Sequence, residues 1–372
     1  MARARRSKAK AKRKNSNYHN SANSKNNKQV KNSRGANKRG SRRKTADSRK
    51  NVKAQARTST AAGITLALSA VFFSFLIVIQ VYPAAGSFSS PSDIFGFLRW
   101  GGAPAVTVAQ GELAVHYVDV GQGDCEIIKT ADRTVLIDCG EERYADSVIA
   151  YIKSLGTRRL DYVIATHPHD DHIGGMAKIL DAFQVGMIIM PRLPSNMVPT
   201  TKCFENMLDT IERKNIDAVY AKPGDEYGVG AGGVLKLLSP LHNDYNGLNN
   251  FSVACRLSHG ENSFIFCGDI ERASESDILN NGEYIGSDVL KVAHHGSTSS
   301  STPAFLRRVS PRYAVIEVGQ DNAYGHPTET VLERLDDVGA EVFCTSEYGD
   351  IVFVSDGMVL SIYTEKGEEN AA

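Results

Sequence analysis

The sequence predicts an α/β layered sandwich with its site along one edge, preceded by a disordered basic tail and one transmembrane helix. Three observations carry this. From about residue 112 onward, strand-like apolar runs alternate with segments of helical periodicity. The densest polar clusters each follow directly on a strand-like run, which is where open α/β sheets hold ligands. The charge is also split. The formal net charge is +1 over 372 residues, yet up to Arg57 there are roughly twenty Lys and Arg against a single acid, Asp47, so the remainder carries a comparable excess of negative charge.

Residues 1–57 are Lys, Arg, Asn, Ser and Ala with almost no large apolar side chains. Such a segment cannot bury enough surface to offset its ordering entropy, so it is expected to be disordered. A nucleic-acid arm, an anionic-lipid contact and a topology signal all suit that composition. No charged residue occurs between Arg57 and Asp93, and the apolar run 61–82 matches the hydrocarbon thickness of a bilayer. It predicts a single-pass anchor over 58–82 in the cell membrane. The basic flank should stay cytoplasmic, which leaves the globular part outside the cytoplasm. Cleavage near Pro83–Gly86 and secretion is the alternative. Residues 83–111 are rich in Ser, Gly, Pro and Ala and read as a linker, with Phe97, Arg99 and Trp100 near the membrane.

The globular domain is expected over 112–365, with a short tail at 366–372. Leu113–Val118, Cys125–Lys129 and Thr134–Asp138 read as strands, and Arg143–Leu155 as a helix. Leu160–Thr166 is an apolar run that reads as a buried strand. Ile173–Phe183 follows as a helix and Val185–Met190 as a strand. The stretch 191–230 is less regular. Strands return at Val234–Leu238, Val253–Leu257, Ser263–Cys267, Val289–Ala293 and Tyr313–Glu317. Thr328–Val338 reads as a helix, and short strands near Val342, Val352 and Leu360 close the chain. The six cysteines are widely spaced with no Cys-x-x-Cys, which excludes a zinc ribbon and a thioredoxin-type redox motif. Several lie in apolar runs and read as buried thiols, although an extracytoplasmic domain would permit a disulfide.

His167, His169, Asp170, Asp171 and His172 fall within six positions after the Leu160 strand. For one histidine a hydrogen-bonding role is the ordinary explanation. His-x-His-x-Asp-His instead indicates metal ligation, because neutral imidazole and carboxylate oxygen together suit Zn²⁺, Mn²⁺ or Fe²⁺. Asp138, Asp269 and the pair His294-His295 stand after other strands.

Tyr-Val-Asp-Val-Gly-Gln-Gly-Asp (117–124), Leu-Ile-Asp-Cys-Gly (136–140), Thr-His-Pro-His-Asp-Asp-His-Ile-Gly-Gly (166–175), Phe-Cys-Gly-Asp (266–269), Lys-Val-Ala-His-His-Gly-Ser (291–297) and Tyr-Gly-His-Pro (324–327) resemble the motifs of the metallo-β-lactamase superfamily. They look most like the branch found as the soluble domain of ComEC/Rec2-type competence proteins. The resemblance spans about residues 112–363 and implies a metallo-β-lactamase-like αββα sandwich with two divalent ions, zinc or manganese. By resemblance His167 and His169 bind the first metal. Asp171 and His172 bind the second, Asp269 bridges the two, and His294 completes the second site. Asp138 orients a ligand histidine. Members of the superfamily carry a further first-metal histidine about twenty residues before the bridging aspartate. This chain has Asn249-Asn250-Phe251-Ser252 there, as the competence-type branch does, which weakens the first site or favours manganese. His242 and His259, nearby, read as exposed or structural.

Other positions keep two readings. Asp119 and Asp124 flank Gly121 and Gly123, and turn chemistry explains them as well as site lining does. Gly121-Gln122-Gly123 lacks the third glycine and helix of a dinucleotide fingerprint. Asn250 and Lys291 are candidates for substrate contact, Lys291 through a phosphate or else snorkelling from its strand end. His295 is a neighbour of His294 without a metal role, and Ser297 either donates to substrate or caps its loop. His326 is a proton donor or a surface turn residue.

The leading functional expectation is a membrane-anchored hydrolase of phosphodiesters, a nuclease related to DNA uptake. Asp171 and His326 would be catalytic, two ions would share a hydroxide, and single-stranded DNA would be the substrate. The acidic globular half lacks the basic groove a nonspecific nuclease uses. A cell-envelope phosphodiesterase for phosphocholine or teichoic-acid esters, another ester or lactone hydrolase, and a non-catalytic membrane-tethered binding factor are the alternatives. The identity of any protein partner is left open by the sequence.

Overall fold

The computed structural model describes residues 106–366 and the short strand 370–371. The expected tail, anchor and most of the linker lie outside the described residues, and none of the described helices is long and apolar enough to cross a membrane. In chain order the elements are β1 (Leu113–Tyr117), β2 (Glu126–Thr130), β3 (Thr134–Ile137), α1 (Ala145–Ser154), β4 (Arg159–Ile164), α2 (Asp170–Ile173), α3 (Met176–Ala182) and β5 (Gln184–Met190). They continue as α4 (Lys202–Lys214), β6 (Ala218–Tyr220), β7 (Glu226–Gly230), β8 (Gly233–Leu237), β9 (Cys255–His259), β10 (Asn262–Phe266), α5 (Arg272–Asn280) and β11 (Val289–Lys291). The last are α6 (Pro303–Val309), β12 (Tyr313–Ile316), α7 (Glu329–Asp336), β13 (Glu341–Cys344), α8 (Thr345–Tyr348), β14 (Ile351–Ser355), β15 (Leu360–Thr364) and β16 (Asn370–Ala371).

One nine-stranded sheet runs β16-β15-β14-β1-β2-β3-β4-β5-β6, and one seven-stranded sheet runs β13-β12-β11-β10-β9-β8-β7. Strand alternation explains how they stack. Leu113, Val115 and Tyr117 of β1 join Phe264 and Phe266 of β10 and Val315 of β12 in the core between the sheets. The outer face of the first sheet, with Ile127, Leu136 and Val163, packs on Val148 and Ile152 of α1 and on Ile179 of α3. The outer face of the second, with Ile265 and Leu290, packs on Ile278, Phe305 and Val331 of α5, α6 and α7. The result is four layers, αββα.

Two sequence expectations are corrected. The stretch 191–230 holds α4, β6 and β7 after an irregular segment at 191–201. Phe204, Met207, Leu208 and Ile211 recur at helical spacing in α4, and Asn215 ends it with φ 52°, the left-handed conformation that Asn tolerates at a helix end. The single helix expected over 173–183 is two, broken at Gly174-Gly175. A side chain on Gly174 would meet Asp170 O at 2.4 Å and Glu142 N at 2.7 Å, so glycine lets this turn close on the neighbouring loop. All six thiols are unpaired, five of them buried. The parallel strands β3 and β4 of one sheet and β10, β11 and β12 of the other send their carboxyl ends to the loops that hold the polar clusters.

Candidate metal centre

Asp138 leaves β3 with φ 51° and turns its carboxylate under the loop that follows β4. It accepts from Thr166 N at 2.8 Å, from Thr166 Oγ1, and from His172 Nδ1 at 2.8 Å. With its proton given to Asp138, Thr166 Oγ1 accepts from His167 Nδ1 at 3.2 Å. One buried carboxylate thereby anchors the Nδ1 sides of two imidazoles and turns each Nε2 toward the loop ends.

Those nitrogens converge on Asp269, which follows β10 and whose N–H is held by Ser252 Oγ at 3.1 Å. Asp269 Oδ1 lies 3.3 Å from His172 Nε2 and 3.7 Å from His295 Nε2. Asp171 stands beside the same pair, its Oδ1 4.0 Å from His172 Nε2 and its Oδ2 3.4 Å from His295 Nε2. Ligand atoms of a tetrahedral site with bonds of about 2.1 Å sit about 3.4 Å apart. The other oxygen, Asp269 Oδ2, lies 3.7 Å from His167 Nε2 and 3.6 Å from His294 Nε2. His169 Nδ1 is 2.9 Å from His167 Nε2. His172 Nε2, His295 Nε2 and Asp269 Oδ1 are buried with no hydrogen-bond partner. Unpaired buried polar atoms are costly, so their convergence on one point fits a cation. This donor set of imidazoles around a shared carboxylate suits a pair of divalent ions.

His294 and His295 face opposite oxygens of Asp269 because both adopt φ near 50°, at 52° and 51°. Left-handed backbone at a non-glycine residue costs on the order of 1–3 kcal/mol. Here it splays two adjacent rings, 6.2 Å apart between centroids. His294 therefore lies on the His167 side, and His295, expected to have no metal role, lies inside the second cluster.

Charge explains the protonation of the metal-free cluster. Burial raises Asp269, but the His172 and His295 imidazoles outweigh it and hold it well below the carboxylate range. Burial likewise raises Asp171, and His172 and His295 bring it down to about 2. Burial lowers His295, but the carboxylates of Asp269 and Asp124 push it up to about 10. His172 rises well above the usual value for the same reason. Burial takes His167 well below. Without an ion, the second cluster thus offsets its carboxylates with protons that metal binding would release.

An opening of about 380 Å³ is lined by Gln122, His169, Asp170, Asp171, Asn249, Asp269, His294, His295, Tyr324 and His326. His326 is held by its backbone, with Asn322 Oδ1 accepting its N–H at 3.0 Å and Asn322 Nδ2 donating to its carbonyl at 2.7 Å. Its ring lies against His294 and stacks on Tyr324.

Other candidates fall elsewhere. Asn250 Oδ1 accepts from Glu271 N and Ser274 N, and its Nδ2 donates to Glu271. Its amide caps α5 and cannot serve the site. Asn249 faces the opening instead, with Oδ1 buried and unpaired. Asp119 Oδ1 accepts from Gly121 N at 3.0 Å and closes its own turn. Ser297 Oγ meets Ser299, and Ser299 Oγ is the hydroxyl at His294 Nδ1, 3.1 Å away. Lys291 neither snorkels nor reaches a substrate phosphate. Its ammonium is fully buried, 2.6 Å from Asp124 Oδ2. His259 is buried against Ser355 at 2.7 Å, and His242 is exposed.

Glu126 and Glu317 escaped the sequence reading. Both are buried behind the second cluster with Asp124. The signal was that Glu126 shares strand parity with Ile128, an inter-sheet residue. Burial pushes Glu317 up to about 8, with Asp124 adding to the rise. Its proton is held more tightly in the fold than in the unfolded chain, so this stabilisation is full below its ordinary range and fades as pH rises through about 8. The metal-free protein should therefore lose stability, on the order of a few kcal/mol, toward alkaline pH. Glu317→Gln should flatten that slope. Chelator-treated thermal melts from pH 5 to pH 9 measure it, and parallel curves for both proteins would contradict it.

A four-layer αββα sandwich whose carboxyl-end loops set one carboxylate between two imidazole pairs defines a metal-binding protein of the superfamily class that its motifs resemble. The family model described as "Metallo-beta-lactamase superfamily" matches residues 118–319, and the chain belongs to that superfamily. Among curated proteins it is similar to "ComE operon protein 3" of Bacillus subtilis (strain 168), 30% identical over 263 residues, covering 66% of this chain and 33% of that protein. It is also 30% identical over 250 residues to "Competence protein ComA" of Neisseria gonorrhoeae, covering 66% of this chain and 33% of that protein. "Recombination protein 2" of Haemophilus influenzae is 28% identical over 245 residues, 64% of this chain and 28% of that one. The chain thus spans about a third of the length of the relatives it matches.

Proposed function

We propose that the chain is a binuclear metal-dependent phosphodiesterase with single-stranded DNA as its substrate. The observation that supports this most is Asp269, which presents one oxygen to His172 and His295 and the other to His167 and His294. In this reading His167, His169, His294 and Asp269 hold the first ion, and Asp171, His172, His295 and Asp269 the second. The chemistry such ions supply when bound is Lewis-acid activation of a phosphoryl group and neutralisation of charge developing on it. Relatives whose names carry competence and recombination support a nucleic-acid substrate.

The chain's own groups divide the remaining work. Asp171, held anionic, keeps His295 and its own loop aimed at the opening. Asn249 offers an unpaired oxygen and Gln122 an unpaired Nε2 to the substrate. His326 has a buried, unpaired Nδ1 beside the opening. Burial and the neighbouring His294 and His295 lower its proton affinity, and an anionic phosphate would restore it. His326 is then the group that gives a proton to the leaving oxygen. His326→Ala should slow hydrolysis of an alkyl phosphodiester by about 10²-fold or more. A nitrophenyl ester, whose leaving group needs no proton, should be slowed much less. Equal losses on both substrates would rule out the proton-donor role.

To test the substrate, the full chain loaded with Mn²⁺ or Zn²⁺ is incubated with single-stranded DNA and with a simple phosphodiester. Hydrolysis of the simple ester alone would exclude the nuclease. No hydrolysis, with fewer than about one ion retained per chain, would leave a tethered binding factor.

A second reading has an observation of its own. A cleft of about 680 Å³ beside Asp171 is lined by Glu141, Asp170, Asp321, Tyr144 and Tyr324, with Arg143 alone as a cation. Carboxylates and aromatic faces suit a cationic alcohol, as in a phosphocholine-type ester of the cell envelope. Direct competition between that ester and DNA at one enzyme concentration separates the two. The reading also keeps the single-pass anchor at 61–82 with the domain outside the cytoplasm. Protease shaving of intact cells should remove the domain and spare the basic tail, and a protected domain would reverse the orientation.

A further inference from the structure

We propose that Lys291 is a positioning residue for the second metal site, acting from inside the sandwich through Asp124 on His295 and His172. This rests on the two-metal reading above.

Lys291 occupies a place where an apolar residue would be expected. On β11 it is in register with Phe266 of β10 and Val315 of β12, both of which belong to the core between the sheets. Its side chain is fully buried. The ammonium reaches the loop between β1 and β2, where it meets Asp124 Oδ2 at 2.6 Å, and lies 3.8 Å from Glu317 Oε2 at the end of β12. A buried ion pair seldom stabilises a fold more than well-packed apolar residues would. The pair is better explained by what it holds in place.

Asp124 connects in two directions. Its N–H donates to Asp171 O at 3.2 Å, and the chain passes there through Gly123, whose φ is 143° and where a Cβ would lie 2.2 Å from that same oxygen. The turn is therefore pressed against the backbone of a proposed ligand. Its carboxylate faces two more. Oδ1 lies 3.2 Å from His295 Nδ1, and Oδ2 lies 3.7 Å from His172 Nδ1. His295 Nδ1 also donates to Glu317 O at 2.9 Å. Hydrogen bonding at Nδ1 fixes the ring so that Nε2 points at Asp269 Oδ1, and a carboxylate there strengthens the imidazole as a ligand.

Three buried carboxyls share this space, and the Lys291 ammonium lies 2.6 Å from Asp124 and 3.8 Å from Glu317. Burial raises both Glu126 and Glu317 above the usual carboxylate range. Of the three, Asp124 is the one the ammonium meets at 2.6 Å and the one whose Oδ1 lies 3.2 Å from His295 Nδ1, so the lysine holds in place the carboxylate that orients His295.

The test is a titration of the metal-free chain with Mn²⁺ or Zn²⁺, resolving two binding steps, together with thermal melts. Wild type should bind two ions. Lys291→Met should weaken the second-site step by about 10–100-fold and leave the first-site step within about threefold. It should also lower the melting temperature, because Asp124 is left uncompensated. In Asp124→Asn/Lys291→Met the two charges are removed together, so stability should recover while second-site affinity stays low. The double variant alone decides the matter if the single variant does not fold. Unchanged second-site affinity, parallel weakening of both steps, or recovery of affinity along with stability would overturn the proposal. Absence of a second step in wild type would instead overturn the two-metal reading beneath it.

Discussion

Asp269→Asn is expected to remove both metals at once and with them essentially all activity. Asp269 is the only carboxylate among the described residues that puts one oxygen within 4 Å of His172 and His295 and the other within 4 Å of His167 and His294. A carboxamide keeps the shape but offers one good donor oxygen and no charge, so it cannot join two cations. Turnover should fall by about 10³-fold or more if both ions act on one phosphoryl group. The fold should persist, since the hydrogen bond from Asp269 N to Ser252 Oγ uses the backbone. Metal analysis and kcat on the purified variant measure this. Two retained ions and a rate within tenfold of wild type would refute the shared-carboxylate reading.

The second large effect separates two adjacent residues. His295→Ala should abolish the second site, because its Nε2 is one of the four donors proposed for the second ion and its Nδ1 is anchored from behind. His294→Ala should instead weaken the first site, since its Nε2 faces Asp269 Oδ2. Each variant should retain about one ion per chain, and both should lose about 10²-fold or more in turnover. The spectrum of bound Co²⁺ distinguishes the remaining site in each. If His295→Ala kept both ions while His294→Ala lost the second, the sequence-based assignment of His294 would stand.

Much of this architecture was legible beforehand. The apolar runs at 113–118, 134–138, 160–166 and 263–267 became β1, β3, β4 and β10 with small shifts at their ends. Their alternation is a local property of the backbone. The polar groups at 138, 167–172, 269 and 294–295 are gathered by the carboxyl ends of β3, β4, β10 and β11. The helix α4 is equally legible from Phe204, Met207, Leu208 and Ile211, which recur at helical spacing. By contrast, Asn249 and Asn250 are neighbours of the same type, and only the position of α5 decides that one caps a helix while the other faces the opening.

By itself the sequence determined the kind of site: imidazoles and carboxylates after strands, in a pattern that belongs to the metallo-β-lactamase superfamily. Tertiary structure alone decided how those groups are shared out. Which oxygen of Asp269 faces which histidine depends on two successive left-handed residues, His294 and His295, which no periodicity announces. The role of Lys291 depends on a carboxylate 167 positions away in the chain, brought within 2.6 Å only when the two sheets pack face to face. Ligand type and strand periodicity are local properties and can be read along the chain. Orientation and charge pairing arise from the packing of one sheet on the other.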